Sequence, residues 1–497
     1  MCGIAGVLQK PANENVKSMV KALAHRGPDG HGLTDLSQGT LGHARLAILD
    51  IEGGHQPMKY ENSWIAFNGE IYNYRELQKK FLPGDAMKTH SDTEVILHLY
   101  RTLGPDFVKH LNGMFAFVIY QDGEYFMARD PLGIKPLYYG RSPDNQHLYF
   151  ASELKALNEL VIKADVFPAG HWYHSKKGWG RYYQITDTIE TFNGTEEDAL
   201  PLIRSMLKKA VERRMLADVP VGVSLSGGLD SSIVSALACE GTDQLHSFAV
   251  GVDGSEDLAA SQQMSEFLNT MHHQHIYTEE DMLKALPNVL FHLETFDPAL
   301  VRSAIPNYFL AELASEHVKV FLTGEGADEI YAGYEYLADF SNPDSLQNEM
   351  VEITEALHNT NLQRADRMSM AFSIEARVPF LDVESVSLAL GLPPSWKLHN
   401  GRAPKHVLRQ AFAEDLPENI VNRPKQKFSK GAGSSDILAE VAEEKISDSD
   451  FKSERLRLKE GWEYELKNKE ALYYYNIIRE HYDDTFLFQT MGHSRSL

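Results

Sequence analysis

Cysteine is scarce in this chain, which has only Cys2 and Cys239 among its 497 residues. Two thiols cannot supply a disulfide framework, so we expect a reducing compartment, with the cytoplasm as the location. Long apolar runs are absent as well, since none approaches the roughly 18 residues of a membrane-spanning helix. No signal sequence precedes Cys2, and position 2 is not the glycine of a myristoylation site, so we expect neither a lipid anchor nor a membrane partner.

Basic residues are outnumbered by acidic ones. The chain carries 48 Lys and Arg against 70 Asp and Glu, which gives a net charge of −22. Binding to a phosphate backbone requires a basic surface that displaces counterions, so we expect no nucleic-acid partner. A Gly-Lys-Ser/Thr phosphate loop is also missing from the sequence. This absence excludes a Walker-type nucleotide site but not a nucleotide in another kind of pocket.

Two different patterns of apolar residues divide the chain into two parts. Residues 1–183 contain short alternating apolar runs between turn residues, which is typical of antiparallel sheets. Residues 184–197 are polar and lack apolar periodicity. After them, helical segments alternate with short apolar runs, which predicts parallel strands joined by helical crossovers. We therefore predict two domains, at 2–190 and 198–497, the second ending in a charged, mostly helical segment.

The most informative segment is VPVGVSLSGGLDSSIVSALACE, residues 219–240. An apolar run typical of a strand leads into SGGLDSS, and an apolar-periodic helix follows. Small residues let the backbone approach a ligand closely, and the N–H groups at a helix start favour an anion. A carboxylate here, Asp230, repels phosphate unless it holds Mg²⁺ between itself and the phosphate oxygens. The segment therefore predicts a phosphate site with Mg²⁺.

Several motifs together resemble one known family. SGGLDSS resembles the pyrophosphatase loop of ATP-pyrophosphatases, and LTGEGADEIYAGY (322–334) resembles the second signature of their asparagine synthetase branch. In the first half, the motifs MCGIAG, HRGPDG, HARLAILD, FNGEIYN and SDTE resemble class II glutamine amidotransferases. With IEARVPFLD (374–382) and RPKQKFSKGAG (423–433), they cover nearly the whole chain in the order found in glutamine-dependent asparagine synthetases.

That resemblance implies a fold and a reaction. The fold would be α+β and α/β: an N-terminal Ntn-type α/β/β/α sandwich of antiparallel sheets, and a C-terminal helix-rich α/β domain with a parallel sheet. Members of the family release ammonia from glutamine in the first domain. In the second, ATP adenylates the side-chain carboxylate of aspartate, and ammonia then attacks. The resemblance implies glutamine, aspartate and ATP as substrates, Mg²⁺ as cofactor, an internal apolar passage for ammonia, and a homodimer.

The resemblance also assigns roles in the first domain. The initiator methionine is removed, and Cys2 attacks the glutamine carboxamide with its own α-amino group, of pKa near ~7.7–8.0, as the base. Asn68 and the N–H of Gly69 form the oxyanion hole, although Asn-Gly by itself favours a hairpin turn. HRGPDG is expected to be a loop that closes over glutamine. The residues implied for glutamine binding are Arg45 at its α-carboxylate, and Glu70 and Asp92 at its ammonium group.

In the second domain, the resemblance assigns Asp230 and Asp328 to Mg²⁺. It makes Glu325 a general base for the incoming nitrogen, and Lys425 the cation that neutralises charge at the transferring phosphorus. From the local sequence alone, Lys425 fits a solvated basic turn equally well. The residues implied for ATP binding are Leu225, Ser226, Gly227, Gly228, Asp230, Ser231, Ser232, Val250, Thr323 and Gly324.

One segment departs from the family pattern. ALVRSAI (299–305) stands where the family often has Thr-Thr-Ile-Arg-Ala-Ser. Arg302 still matches and is the candidate for binding the amino-acid carboxylate of the acceptor. The changed neighbours leave open an enzyme that amidates a different carboxylate. A non-catalytic protein of the same fold is a further alternative, against which the filled catalytic positions argue. Glu375 and Arg377 are expected to form a structural ion pair.

Overall fold

The structure, a computed structural model, describes residues 1–84, 87–242, 244–398, 403–425, 431–433 and 435–492. Among them, two antiparallel six-stranded sheets build the N-terminal half, in the orders β10-β8-β9-β1-β3-β2 and β12-β11-β7-β6-β5-β4. The strands are β1 (Gly3–Leu8), β2 (Gly30–Leu36), β3 (Gly39–Arg45), β4 (Met58–Tyr60), β5 (Ser63–Ile71), β6 (Gly113–Gln121), β7 (Glu124–Arg129), β8 (Tyr138–Arg141), β9 (Leu148–Ala151), β10 (Asp165–Val166), β11 (His171–His174) and β12 (Gly178–Arg181). The helices are α1 (Asn13–Ala22), α2 (Tyr74–Phe81), α3 (Asp92–Leu103) and α4 (Ile185–Thr188).

The two sheets face each other across a hydrophobic layer. Ile4, Leu41, Val118 and Phe150 are fully buried in it, because alternate residues of a strand point to the same face of its sheet. Helix α1 packs on the outer face of the first sheet, and α3 packs on the outer face of the second. The expected α/β/β/α sandwich of antiparallel sheets is confirmed.

A parallel sheet organises the C-terminal half, with the order β15-β14-β13-β16-β17 in the described residues. Its strands are β13 (Val221–Ser224), β14 (His246–Gly251), β15 (Met271–Ile276), β16 (Val320–Leu322) and β17 (Glu375–Arg377). The helices are α5 (Glu196–Arg214), α6 (Leu229–Cys239), α7 (Glu256–Leu268), α8 (Glu279–Leu293), α9 (Pro298–Ser315), α10 (Ala327–Ile330), α11 (Pro343–Glu355), α12 (Asn361–Met370), α13 (Val383–Gly391), α14 (Pro394–Lys397), α15 (His406–Ala411), α16 (Glu418–Val421), α17 (Ser435–Lys445), α18 (Asp448–Trp462), α19 (Lys469–Ile478) and α20 (Asp484–Thr490). The expected helix-rich α/β architecture is confirmed.

Between the two halves, the last strand of the antiparallel sheets ends at Arg181, and α5 begins at Glu196. Thr195 caps α5, since its side chain accepts from the N–H of Asp198 while the Asp198 side chain accepts from the N–H of Thr195. The division into domains at 2–190 and 198–497 stays a prediction. In the described part of the chain, every helix is too short or too polar to cross a lipid bilayer.

Buried charges join the two halves. Arg26 of the N-terminal half is fully buried and donates to the carboxylate oxygens of Asp366, in the C-terminal half, at 2.8 and 3.1 Å. It also donates to Glu153 at 2.5 Å. Beside it, Arg367 pairs with Glu294 at 3.0 Å. Because taking a charge out of water costs several kcal/mol, each of these groups depends on its partners.

Replacing Asp366 by Asn leaves Arg26 buried with a weaker partner. We expect the free energy of unfolding to fall by about 3 kcal/mol, as measured by urea denaturation. Lys109→Gln is the matched control, because the Lys109–Asp106 pair, at 2.6 Å, has side chains that are 54% and 73% exposed. Loss of such a surface pair costs at most about 1 kcal/mol. Equal losses in the two variants would contradict a stabilising role for the buried network.

Candidate active site

Cys2 is buried directly before β1. Its N–H donates to Oδ1 of Asn68 at 3.0 Å, and its Sγ lies 3.9 Å from the carbonyl oxygen of Leu46. Its own carbonyl oxygen accepts from Nε of Arg26 at 3.0 Å. Burial raises the pKa of the Cys2 thiol, so the thiol needs a base beside it to become a nucleophile.

Asn68 and Gly69 lie in the middle of β5, opposite Ala116 and Phe115 of β6. The expected hairpin turn is therefore wrong, because pairing with β6 continues through both residues. Nδ2 of Asn68 is buried and makes no hydrogen bond within the described residues. A buried donor without a partner is costly, which marks it as a place for an acceptor oxygen. At Gly69, a Cβ would lie 2.1 Å from the carbonyl oxygen of Met114, so only glycine fits.

Two further residues assigned to glutamine are buried in the same half. Arg45 ends β3, acts electrostatically on the Cys2 thiol, and donates to the carbonyl oxygens of the neighbouring residues 50 and 51 at 2.7 and 2.8 Å. Asp92 opens α3 and accepts from the N–H of Ile71 at 2.8 Å. Burial raises the pKa of Asp92 to about 6. The structure thus brings a guanidinium and a carboxylate to the same buried region as the thiol.

Glu70 faces the C-terminal half. Its Oε1 lies 3.7 Å from a terminal nitrogen of Arg377. Burial, together with the nearby carboxylate of Glu375, raises the pKa of Glu70 well above its usual range. Arg377 donates to Glu375 at 2.5 Å between two fully buried side chains, so the expected ion pair is confirmed. The amino group of Met1 lies 3.0 Å from the other oxygen of Glu375, so the C-terminal half contacts the residue that precedes Cys2.

The segment HRGPDG (25–30), expected to be a loop over glutamine, is anchored at both ends. Arg26 is held by the buried pairs described above, and Asp29 accepts from Lys319 at 2.7 Å. Asp29 also accepts from the N–H of Ala47 at 2.7 Å. The structure therefore shows a segment tied to the C-terminal half.

The second centre forms where two loops meet at the carboxyl edge of the parallel sheet. SGGLDSS follows β13 and TGEGAD follows β16, and these strands are neighbours. A Cβ on Gly324 would lie 2.8 Å from the Cβ of Asp230, so the missing side chain lets the loops touch. Gly227 has a φ of +68°, and a Cβ there would lie 2.4 Å from the backbone of Ala260. Both glycines are required by this geometry.

A cavity of about 270 Å³ opens between the two loops. The predicted site residues that line it are Ser226, Gly228, Asp230, Ser231, Arg302, Thr323, Gly324, Glu325, Asp328 and Lys425. Those that do not line it are Leu225, Gly227, Ser232 and Val250. The side chains of Leu225 and Val250 are buried in the hydrophobic core, which leaves their backbone groups for a nucleotide.

Asp230 and Asp328 share a lysine that the sequence motifs did not indicate. Nζ of Lys405 lies 2.5 Å from Asp230 and 2.6 Å from Asp328. Lys425 lies 2.5 Å from Asp328 and 3.9 Å from Asp230. Burial alone would raise the pKa of Asp328, but the two ammonium groups hold it well below its usual range. The role of Lys405 could not be predicted from the local sequence, because this residue lies outside every motif described above.

The same carboxylate pair could hold a divalent cation. Oδ1 of Asp230 is buried and makes no hydrogen bond in the part of the chain that the structure describes. Carboxylate oxygens are the protein ligands that Mg²⁺ prefers. Asp230 and Asp328 therefore fit Mg²⁺. Residues 426–430 of the segment RPKQKFSKGAG lie outside the described residues.

Arg302 and Arg364 are two of the four arginines that line the cavity. Arg302 on α9 donates from Nε to Glu470 at 2.8 Å, and its terminal nitrogen contacts the other oxygen of the same carboxylate. Glu470 belongs to α19, so the C-terminal segment contacts a cavity-lining side chain. Arg364, which the sequence motifs did not indicate, lines the same cavity and pairs with Glu325. Both arginines therefore already have carboxylate partners.

Comparison with known proteins places the chain in a family. Residues 1–171 match the glutamine amidotransferase domain family, and residues 202–344 and 337–487 match the asparagine synthase family. A probable glutamine-hydrolysing asparagine synthetase of Schizosaccharomyces pombe is 38% identical, over 97% of this chain and 93% of its own length. The chain belongs to the glutamine-hydrolysing asparagine synthetase family.

Other members of the asparagine synthetase family are similarly close. A probable member from Dictyostelium discoideum is 38% identical over 91% of this chain and 89% of its own length. Glutamine-hydrolysing asparagine synthetase 3 of Arabidopsis thaliana is 39% identical over 90% of this chain and 82% of its own length. The resemblance inferred from the motifs is confirmed over nearly the full length of the chain.

Lys405→Met removes the ammonium group that Asp230 and Asp328 share. We expect ATP-dependent synthesis, measured as AMP formation, to fall at least about a hundredfold, because Asp230 loses its nearest cation, Asp328 keeps only Lys425, and the remaining negative charge repels the phosphates. Glutamate release at Cys2 should stay unchanged. Lys208→Met is the matched control, since Lys208 pairs with Glu240 on the surface. Full synthesis by the Lys405→Met variant would contradict a role for this lysine.

Proposed function

We propose that this chain makes asparagine from aspartate, glutamine and ATP, with glutamate, AMP and pyrophosphate as the other products. The observation that carries the proposal is that one chain holds two separate chemical centres. One combines a buried thiol with the unpartnered amide nitrogen of Asn68. The other is a cavity in which two carboxylates, Asp230 and Asp328, pair with two lysines. Ammonia from the first is the nucleophile that the second needs.

Glutamine hydrolysis would require that Met1 has first been removed from the chain. The amino group of Met1 now contacts Glu375, and removal of this residue gives Cys2 a free α-amino group. That amine takes the thiol proton, and the sulfur attacks the carboxamide carbon of glutamine. The negative oxygen that develops is stabilised by Nδ2 of Asn68 and the N–H of Gly69.

Glutamine would be oriented by its charged ends. Arg45 receives the α-carboxylate through its planar fork. Asp92 and Glu70 receive the ammonium group, and both carboxylates are buried, where a charge pair is stronger than in water. The α-amino group of Cys2 then gives the proton it took from the thiol to the departing nitrogen, so ammonia leaves. Water hydrolyses the acyl-enzyme that remains to glutamate.

Aspartate activation would take place in the cavity. The backbone and serines of the SGGLDSS loop bind the phosphates of ATP. When bound at Asp230 and Asp328, Mg²⁺ neutralises phosphate charge. A carboxylate oxygen of aspartate attacks the α-phosphorus, pyrophosphate leaves, and Lys405 and Lys425 offset the charge on the phosphates. Ammonia then attacks the acyl-adenylate, AMP leaves, and Glu325 takes a proton from the incoming nitrogen.

A different carboxylate acceptor is the second candidate. Arg302, the residue assigned to the amino-acid carboxylate, contacts both carboxylate oxygens of Glu470. The residues around it, ALVRSAI, also depart from the family pattern. The reaction type would be the same, and only the acid that receives nitrogen would change.

The remaining organisation follows from the same proposal. We propose a glutaminase domain at 2–190 and a synthetase domain at 198–497, acting in the cytoplasm as a homodimer. Ammonia would pass inside the protein, since Glu375 and Arg377 of the C-terminal half contact Met1 and Glu70 of the half that carries Cys2. Leakage into water would protonate it and remove the nucleophile.

Incubation of the protein with aspartate, glutamine, ATP and Mg²⁺ should yield asparagine, AMP and pyrophosphate in equal amounts. Cys2→Ala should abolish synthesis from glutamine and leave synthesis from ammonium salts intact, because only the thiol is lost. Cys239→Ala is the matched control and should keep both activities. ADP as the product, or synthesis that does not depend on aspartate, would contradict the proposed reaction.

Arg302→Gln should raise the KM for aspartate at least about tenfold while the KM for ATP changes little, because one charged contact to the acceptor is lost. Steady-state kinetics with varied aspartate and varied ATP measures both constants. Arg455→Gln provides the control, since Arg455 pairs with Glu465 on the surface. An unchanged KM for aspartate would refute the assignment of Arg302 and leave the other cavity-lining arginines, Arg364, Arg409 and Arg423, as candidates.

A further inference from the structure

Three histidines lie together at the edge of the parallel sheet. His246 opens β14, His273 lies in the edge strand β15, and His317 follows α9. One ring nitrogen of each lies within 4.8 Å of the corresponding nitrogens of the other two. All three side chains are half-buried. The proposed reaction uses none of them.

The fold itself brings these residues together. His273 is the register partner of Phe248, so both side chains point to the same face of the sheet. His246 stands two residues before Phe248 and therefore shares that face. Helix α9 covers this face of β14 and β15, and the chain leaving its C-terminal end carries His317 onto the two strands. The cluster is set by strand register and helix packing, and is not a chance meeting of surface side chains.

The spacing of the rings suits a metal ion. Nδ1 of His246 and Nε2 of His273 are 3.0 Å apart. The rings of His273 and His317 are stacked with their centroids 3.9 Å apart. Because the lone pairs of imidazole lie in the ring plane, one of these two rings has to rotate before both bind the same ion. Two nitrogens bound tetrahedrally to one Zn²⁺ lie about 3.3 Å apart, given Zn–N bonds of about 2.0–2.1 Å. Nδ1 of His246 and Nε2 of His273 already have nearly this spacing. A cation would replace the proton that these two nitrogens share.

We propose that His246, His273 and His317 bind one divalent transition-metal ion of the class that prefers imidazole, such as Zn²⁺, Cu²⁺ or Ni²⁺. Water fills the remaining coordination positions, because the side chains are only half-buried. Glu316, next to His317 in the chain, acts electrostatically on His273 and so adds negative charge near the cluster. The site is separate from the carboxylate pair at Asp230 and Asp328, whose oxygen atoms suit Mg²⁺.

Such an ion would stabilise the position of α9, the helix that carries Arg302 of the proposed acceptor site. It ties the C-terminal end of α9 to β14 and β15, whereas Arg302 lies near the other end of α9. The fifteen residues from Arg302 to His317 correspond to about 22 Å along a helix. The ion is therefore too far away to take part in the chemistry, and its effect is on the stability of the helix and sheet.

Titration of ZnCl₂ into the metal-free full chain, followed by calorimetry in excess Mg²⁺, tests the proposal. We expect one tight equivalent of Zn²⁺ for the unaltered protein. His273→Gln and His317→Gln should each weaken the binding of that equivalent at least about tenfold. His275→Gln is the matched control, because His275 lies in the same strand but outside the cluster, and it should bind Zn²⁺ as the unaltered protein does.

Two further measurements distinguish the histidine cluster from the Cys2 thiol and from a general loss of stability. The nitrogen splitting in the electron paramagnetic resonance spectrum of bound Cu²⁺ should report imidazole ligands and be lost in His273→Gln. Thermal unfolding without metal should be alike in all variants, while Zn²⁺ should raise the midpoint of the unaltered protein and of His275→Gln only. Absence of the tight equivalent, or equal weakening by His275→Gln and both cluster variants, would overturn the proposal.

Discussion

The pairing of Arg26 with Asp366 is the interaction on which the arrangement of the two centres depends. Arg26 is fully buried and satisfies carboxylates from both halves, Asp366 on one side and Glu153 on the other. Charges in such a position exclude alternative packings, because any shift that separates them leaves an uncompensated charge out of water. The antiparallel sandwich and the parallel sheet are therefore fixed relative to one another by charge as well as by apolar contact.

The same arginine fixes the position of the thiol. Nε of Arg26 holds the carbonyl oxygen of Cys2, while Asn68 holds the N–H of the same residue. The N–H and the carbonyl oxygen of Cys2 are therefore both held by hydrogen bonds to side chains. Glu375 and Arg377 of the parallel sheet's last strand contact the amino group of Met1 and the carboxylate of Glu70. A centre that belongs to the first half by sequence is built from both halves in space.

Local patterns were sufficient for much of the fold and for part of the site. Strand alternation predicted the antiparallel sheets, and the strand–SGGLDSS–helix pattern predicted the loop that carries Asp230 into the cavity. These features depend on residues close together in sequence. The turn at Asn68 and Gly69 was wrong because nine residues of β5 pair continuously with β6, and this long-range pairing overrides the preference of a dipeptide.

What the sequence did not predict depends on contacts between distant segments. Lys405 reaches Asp230 across 175 positions, and Glu470 reaches Arg302 across 168. Neither residue lies in a motif, and a lysine or glutamate side chain is usually solvated. Their roles become visible only when the strands of the parallel sheet and the C-terminal helices are assembled.

The segment HRGPDG limits how the two halves of the chain can be separated or exchanged. Arg26 and Asp29 of this segment form ion pairs with side chains of the other half, Asp366 and Lys319. A glutaminase half expressed alone would expose these side chains to water and lose one side of the restraint on Cys2. Grafting it onto a different synthetase would require a matching carboxylate and lysine on the new partner. The two halves are complementary surfaces rather than interchangeable modules.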